Sequence, residues 1–305
     1  MSRAHHGLHI RADVQTALAE ARPVVALEST VIAHGLPYPD NLAAALELEA
    51  IVRAGGATPA TVGVVDGVPT VGLGPEAIER FAGGEQVLKL SRRDLGAAIA
   101  TGAQGATTVA ATMALAASAG IEVFATGGIG GVHRGARESW DVSADLIELS
   151  RTPVLVVCAG AKAILDLPAT LEVLETLGVP VIGYACDEFP AFYSRSSGLP
   201  VSGRANSAQE AASLWLAHRQ YGGGGGMLLC VPPPEADAMP AEDVEAAITR
   251  ALASARDVRG AAVTPFLLAA LQQETGGRTL HTNIALLKNN AQVATGVAVA
   301  LATGS

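Results

Sequence analysis

The chain has 305 residues, of which 50% are hydrophobic, 16% charged and 4% aromatic, so its core is expected to be built from Ala, Val, Leu and Ile, as in a layered α/β enzyme. A net charge of -9 and a pI near 5.3 exclude the basic stripe that binds a nucleic acid polymer. A single phosphorylated small molecule stays compatible, because a few backbone amides and cations can hold one phosphate inside an acidic protein.

Residues 1–10 carry His5, His6 and His9 but no apolar stretch with a small-residue cleavage site; they are expected to form a flexible leader, and the expected compartment is the cytoplasm. The mean hydropathy is positive, +0.35, yet no apolar run reaches the roughly 18 to 20 residues of a membrane span without a glycine or polar interruption. A membrane is therefore not expected as a partner.

From there on, β-rich runs at residues 24–27, 87–90, 121–125, 154–158, 181–185 and 227–231 alternate with helical patterns. The latter fall at 41–54, 106–119, 169–177, 207–219, 241–255, 265–273 and 283–301. The alternation predicts a three-layer α/β/α fold on a mostly parallel sheet. In the first helix Leu42, Ala45, Leu46, Glu49 and Val52 keep mostly helical spacing, and Gly55-Gly56 stops it. Residues 61–73 differ, because Asp66-Gly67 between two β runs predicts an added hairpin. The five glycines at 222–226 and Pro232-Pro233-Pro234 interrupt the alternation too briefly to mark a boundary, so residues 1–305 are read as a single catalytic domain. Cys158, Cys186 and Cys230 lack metal-ligand spacing and are read as buried free thiols.

Several strand ends carry chemistry. Lys162 follows the run 154–158 and the turn Ala159-Gly160-Ala161, at the carboxyl end of a predicted parallel strand, where open α/β sheets bind ligands. Partly desolvated there, its amine is a candidate to attack a carbonyl and form a Schiff base; the alternative is a surface lysine at a helix start. Glu28 ends the run Val25-Ala26-Leu27 and is a candidate general acid with a raised pKa, or a cap of the next turn. The stretch from Ala125 and Thr126 through Gly127-Gly128-Ile129-Gly130-Gly131 to His133-Arg134-Gly135 resembles a phosphate or sugar cradle, with His133 and Arg134 as anion contacts; such loops also serve tight turns. Trp140 to Asp145 offers Asp141 and Asp145 around Ser143, oxygen ligands suited to Mg or Mn, or else an N-cap Ser143 with Asp145 in the first turn. Lys89 on a strand, with Thr107, Thr108 and Val109 opening a helix after Gly105, would bind phosphate, unless Lys89 pairs with a surface acid. Late in the chain, Thr282-Asn283 and Lys288-Asn289-Asn290 are polar clusters in an apolar helix and need partners, from a ligand or another helix.

Together, Ala26-Leu27-Glu28-Ser29-Thr30, the run from Gly105 to Thr112, the Thr126 to Gly135 loop, Asp141 to Asp145 and Ala159-Gly160-Ala161-Lys162 resemble the pseudouridine-5'-phosphate glycosidase family, which includes indigoidine synthase A-like proteins. The resemblance implies that Lys162 is the nucleophile, Glu28 the proton donor, and Asp141 the ligand of a catalytic metal, usually manganese, held largely through water. It implies that Lys89, Val109, Ser143, Ala144 and Asp145 contact substrate, with His133 and Asn283 as further pocket members; Thr126, in the cradle loop, is counted with them. The implied reaction is reversible cleavage of the C-C bond of pseudouridine 5'-phosphate to uracil and ribose 5-phosphate, in a homo-oligomer expected to be a trimer. The apolar stretch 291–301 is compatible with burial at its interface. The rival readings are a Schiff-base aldolase or lyase acting on another sugar phosphate, and a non-catalytic sugar-phosphate sensor.

Overall fold

The computed structural model describes residues 7–84, 86–254 and 263–304. Strands β1 (His9–Ile10), β2 (Val24–Leu27), β3 (Thr58–Val65), β4 (Val68–Val71), β5 (Leu88–Leu90), β6 (Gly105–Thr107), β7 (Val123–Ala125), β8 (Leu155–Cys158), β9 (Val181–Tyr184), β10 (Gly203–Ala205) and β11 (Met227–Cys230) join one sheet. Its main path runs β1-β4-β3-β2-β7-β8-β11-β9-β10, and β5 is attached through β6 to β3. From β2 to β10 every pairing is parallel. β2, β8 and β11 are buried at all four positions, which is why they read as unbroken apolar runs rather than alternating ones. Helices flank this sheet, in the α/β arrangement expected.

The predicted hairpin is present. β3 and β4 pair antiparallel around Asp66 and Gly67, which have φ of 50° and 77°, the left-handed pair of a type I′ turn. The first half of β3 runs parallel to β2, whereas its second half carries β4 and β6, both antiparallel. Here the sequence reading needs correction. The helix expected at 106–119 begins only at Val109, because Gly105–Thr107 forms β6 between β5 and β3. Strand pairing overrides the helical preference of its alanine.

The leader expectation is also corrected. Residues 1–6 lie outside the described residues, but His9–Ile10 pairs in parallel with β4 and Ala12–Ala19 is helical. Arg11 fastens this segment, donating to Leu73 O at 2.7 Å and Pro59 O at 3.1 Å. The last residue of the helix expected at 241–255 lies outside the described residues; Ala241–Ser254 is helical.

The closing helix, Arg278–Thr303, is long and apolar enough by length and composition to cross a membrane, yet half of its most apolar window is buried in the fold. It packs on β2, β7 and β8 and on the helices Asp40–Ala54 and Ala208–Tyr221. Ala291, Ala294, Val297 and Ala298 are thus covered by the chain itself, which accounts for the apolar stretch without a subunit interface. Several of its polar residues find partners: Thr282 Oγ1 donates to Asp237 O at 2.6 Å, Asn289 Nδ2 to Pro232 O at 3.2 Å, and Lys288 pairs with Glu47 at 2.8 Å. Cys158 and Cys230 are buried free thiols, whereas Cys186 is only half-buried.

Candidate active site

Strand order brings the chemistry together. β2, β7 and β8 lie side by side, so the residues just past their carboxyl ends, Glu28, Thr126 and the turn reaching Lys162, converge at one edge of the sheet. A cavity of about 540 Å³ opens there. Its wall includes Glu28, Lys89, Val109, His133, Asp141, Ser143, Ala144, Asp145, Lys162 and Asn283. Of the expected site residues, Arg134 and Thr126 are not in this wall. Thr126 is buried, and its hydroxyl donates to Glu28 Oε1.

The glycine loop is shaped by close contacts. Lys162 N donates to Ile129 O at 3.1 Å and Ser143 N to Gly131 O at 3.0 Å. Gly160, with φ of 82°, lies where a side chain would meet Pro190 O, and Gly128 lies where one would strike the Phe192 ring at 2.7 Å. Phe192 itself holds φ at 63°, a strained value for a bulky residue, and forms part of the cavity wall.

Asp145 is fixed by backbone hydrogen bonds. Ser143 is the N-cap of Ala144–Arg151 and accepts from Asp145 N at 3.3 Å. The Asp145 carboxylate accepts from Ala110 N at 2.9 Å and Gly130 N at 2.8 Å. Both oxygens are therefore engaged in clamping the glycine loop to the helix Val109–Ala119. Asp141 differs: its side chain is 42% exposed, and its Oδ2 stands 3.8 Å from His133 Nδ1, too far for a hydrogen bond. Among the described residues, no group of three or more His, Cys, Asp or Glu stands together as a metal site. A single half-exposed carboxylate fits a hard divalent cation that keeps most of its water.

The charges are unevenly compensated. The sequence holds three lysines. Lys288 pairs with Glu47, while Lys89 and Lys162, both in the cavity wall, have no ion-pair partner within 4.0 Å among the described residues. Burial pushes the Glu28 carboxyl above its ordinary range; Lys162 and the Thr126 hydroxyl pull it down, and Asp145 pushes it up. Burial, then the like charge of Lys162, lowers Lys89 against the opposing pull of Glu28 and Asp145. His133 is lowered by burial, despite Asp141 beside it. The expectation that Arg134 contacts an anion is corrected: it is bound to Glu245 at 2.5 and 2.9 Å and reaches Ala163 O and Leu165 O.

The model of a family described as indigoidine synthase A like protein matches residues 13–300. The chain belongs to that family. A pseudouridine-5'-phosphate glycosidase of Chloroflexus aurantiacus is 66% identical over 96% of this chain and 98% of its own. One of Herpetosiphon aurantiacus is 64% identical over 95% and 96%. Among solved structures, the prealnumycin C-glycosynthase AlnA in complex with ribulose 5-phosphate shares 44% identity at a TM-score of 0.90, covering 97% of each chain. An indigoidine synthase A-like protein of Thermotoga maritima shares 36% identity at the same TM-score, covering 99% of each.

In this member of the indigoidine synthase A-like family the cavity also includes Thr30, His34, Ser91, Arg93 and Phe192, which sequence reasoning missed. Ser91 and Arg93 stand in the turn after β5, and His34 in a π-helical turn after β2; strand ends were the available signal for both. The loop clamp is testable. A methyl group on Gly130 would fall 2.7 Å from Ser143 Cβ and 2.8 Å from Asp145 Oδ2. Gly130→Ala is expected to lower kcat/KM by ~10- to 100-fold, since small misplacements at a site have large kinetic costs. Steady-state rates check this, and a wild-type value would show that the clamp is not needed.

Proposed function

We propose that the chain cleaves the C-C bond between ribose and uracil in pseudouridine 5'-phosphate, reversibly, through a covalent bond between Lys162 and C1'. One observation carries the reading: Lys162, without an ion-pair partner among the described residues, shares a cavity with the buried Glu28, whose pKa burial raises, the direction a proton donor needs. The names of the relatives at 64% and 66% identity support the substrate.

Carbon is a poor leaving group, so two carboxylates alone would serve badly. As the neutral Lys162 nitrogen bonds to C1', the C1'-O4' bond breaks and opens the ribose ring, and the proton that the nitrogen gives up passes to O4'. Its lone pair then forms an iminium with C1' as the pair of the C1'-C5 bond passes to uracil C5, which takes the Glu28 proton. Water adds to the iminium and releases ribose 5-phosphate, returning the amine. The sum is one water consumed, with uracil and ribose 5-phosphate formed.

Lys89, neighbouring Lys162 and opposed only by carboxylates, supplies positive charge for the phosphate, and the amides of the glycine loop lie within the same wall. The binding of this remote group supports reaction at C1'. A divalent cation, manganese by preference, would be held by Asp141 with water completing its shell, and would orient water and substrate oxygens. The reading extends to a cytoplasmic homotrimer.

The test is incubation with pseudouridine 5'-phosphate, with and without Mn, following both products by chromatography. Metal-dependent uracil and ribose 5-phosphate are expected. Binding without turnover would favour the sensor, and cleavage of another sugar phosphate without uracil release the aldolase or lyase.

A further inference from the structure

The closing helix contains a buried amide that the proposed chemistry leaves without a role. Asn290 is fully buried. Its Nδ2 donates to Thr126 O at 2.8 Å and to Gly127 O at 3.3 Å, while its Oδ1 has no hydrogen-bond partner among the described residues. An unpaired buried carbonyl costs stability, so helix packing alone gives no reason for an amide here. What the amide supplies is a two-point grip on the loop that leaves β7.

Two further contacts make that grip directional. A side chain on Gly127 would come within 3.3 Å of Leu287 and 3.5 Å of Leu286, so the loop lies directly on the helix. Gly127 O also accepts from Ala159 N at 2.8 Å, joining it to the turn before Lys162. Thr126, held from behind by Asn290, then passes the position on, because its hydroxyl donates to Glu28 Oε1.

We propose that Asn290 is a positioning residue for the reaction: it fixes the Thr126 backbone so that the Thr126 hydroxyl aims the Glu28 carboxyl at the atom it protonates. The inference rests on the function proposed above. It assigns Thr126 a role behind the proton donor rather than in the cavity wall.

Asn290→Ala, Asn290→Leu, Thr126→Val and the double variant Asn290→Leu/Thr126→Val test it, with thermal melts reporting folding. The leucine variant keeps the side-chain volume should the alanine variant not fold. For the Asn290 variants, kcat for uracil release is expected to fall ~10- to 100-fold with KM little changed. Borohydride trapping of ribose 5-phosphate on Lys162 should persist, because that step does not use Glu28. The alkaline limb of kcat should move to higher pH, since the Thr126 hydrogen bond favours the charged carboxylate. In the double variant the two losses should not add, as for residues acting through one another.

Unchanged kcat, additive losses, or trapping that falls in step with the folded fraction would each overturn the proposal. A wild-type protein that releases no uracil sinks the function itself; an active wild type with unaffected variants sinks this inference alone.

Discussion

Lys162→Ala is expected to reduce turnover of pseudouridine 5'-phosphate by at least ~10⁴-fold, the scale of losing a covalent nucleophile, while substrate still binds. Of the other two lysines, Lys89 is assigned to the phosphate and Lys288 is paired with Glu47. Lysine substitution leaves the rest of the phosphate grip in place, so titration calorimetry should give binding close to that of the wild type. Uracil release at a near-normal rate would remove Lys162 from the mechanism.

Glu28→Gln is the second large effect. It keeps the shape and the contact with Thr126 but has no proton to give, and a general acid contributes ~10² to 10⁴ in rate. The acid must be protonated to act, and burial has raised its pKa, so wild-type kcat should hold at low pH on this limb and fall as pH rises through the raised value. The variant should show no such limb. Stability follows the same sign. A carboxyl whose pKa is higher in the folded chain contributes its stability in full below the unfolded value and loses it as pH climbs through the folded one. Glu28→Gln should therefore melt no lower than the wild type at neutral pH, though nearly inactive. A variant with both normal kcat and a normal alkaline limb would show that another group supplies the proton.

Much of this site was legible because its residues stand just beyond apolar runs. Glu28 after Leu27 and Lys162 four residues beyond the Cys158 that closes β8 could be placed at strand ends, and a parallel sheet gathers such ends on one edge. The Asp-Gly turn was equally local, since two left-handed residues define it. What escaped the sequence depends on distant partners. Gly105–Thr107 looked like part of a helix because nothing local reveals that β3 and β5 receive it. Arg134 looked free to bind an anion, but Glu245, 111 residues downstream, occupies it. Asp145 looked like either a ligand or a cap; only the approach of Ala110 N and Gly130 N makes it a clamp. Thr126 sat in the right loop, yet its contacts with the closing helix through its carbonyl and with Glu28 through its hydroxyl depend on distant residues. The segment His9–Ile10 resembled a loose leader because two residues cannot show a period, and its order comes from β4 and from Arg11.

The central claim is that Lys162 bonds to the sugar while uracil leaves, and the most direct measurement is the peptide mass map after borohydride quenching of the protein with pseudouridine 5'-phosphate. With only three lysines in the sequence, the map is simple to read. The account predicts a reduced ribose 5-phosphate on the peptide that carries Lys162, with free uracil equal to the adduct plus the ribose 5-phosphate released, and the peptides of Lys89 and Lys288 unmodified. Uracil released with Lys162 unmodified, or an adduct on Lys89 in its place, would contradict it.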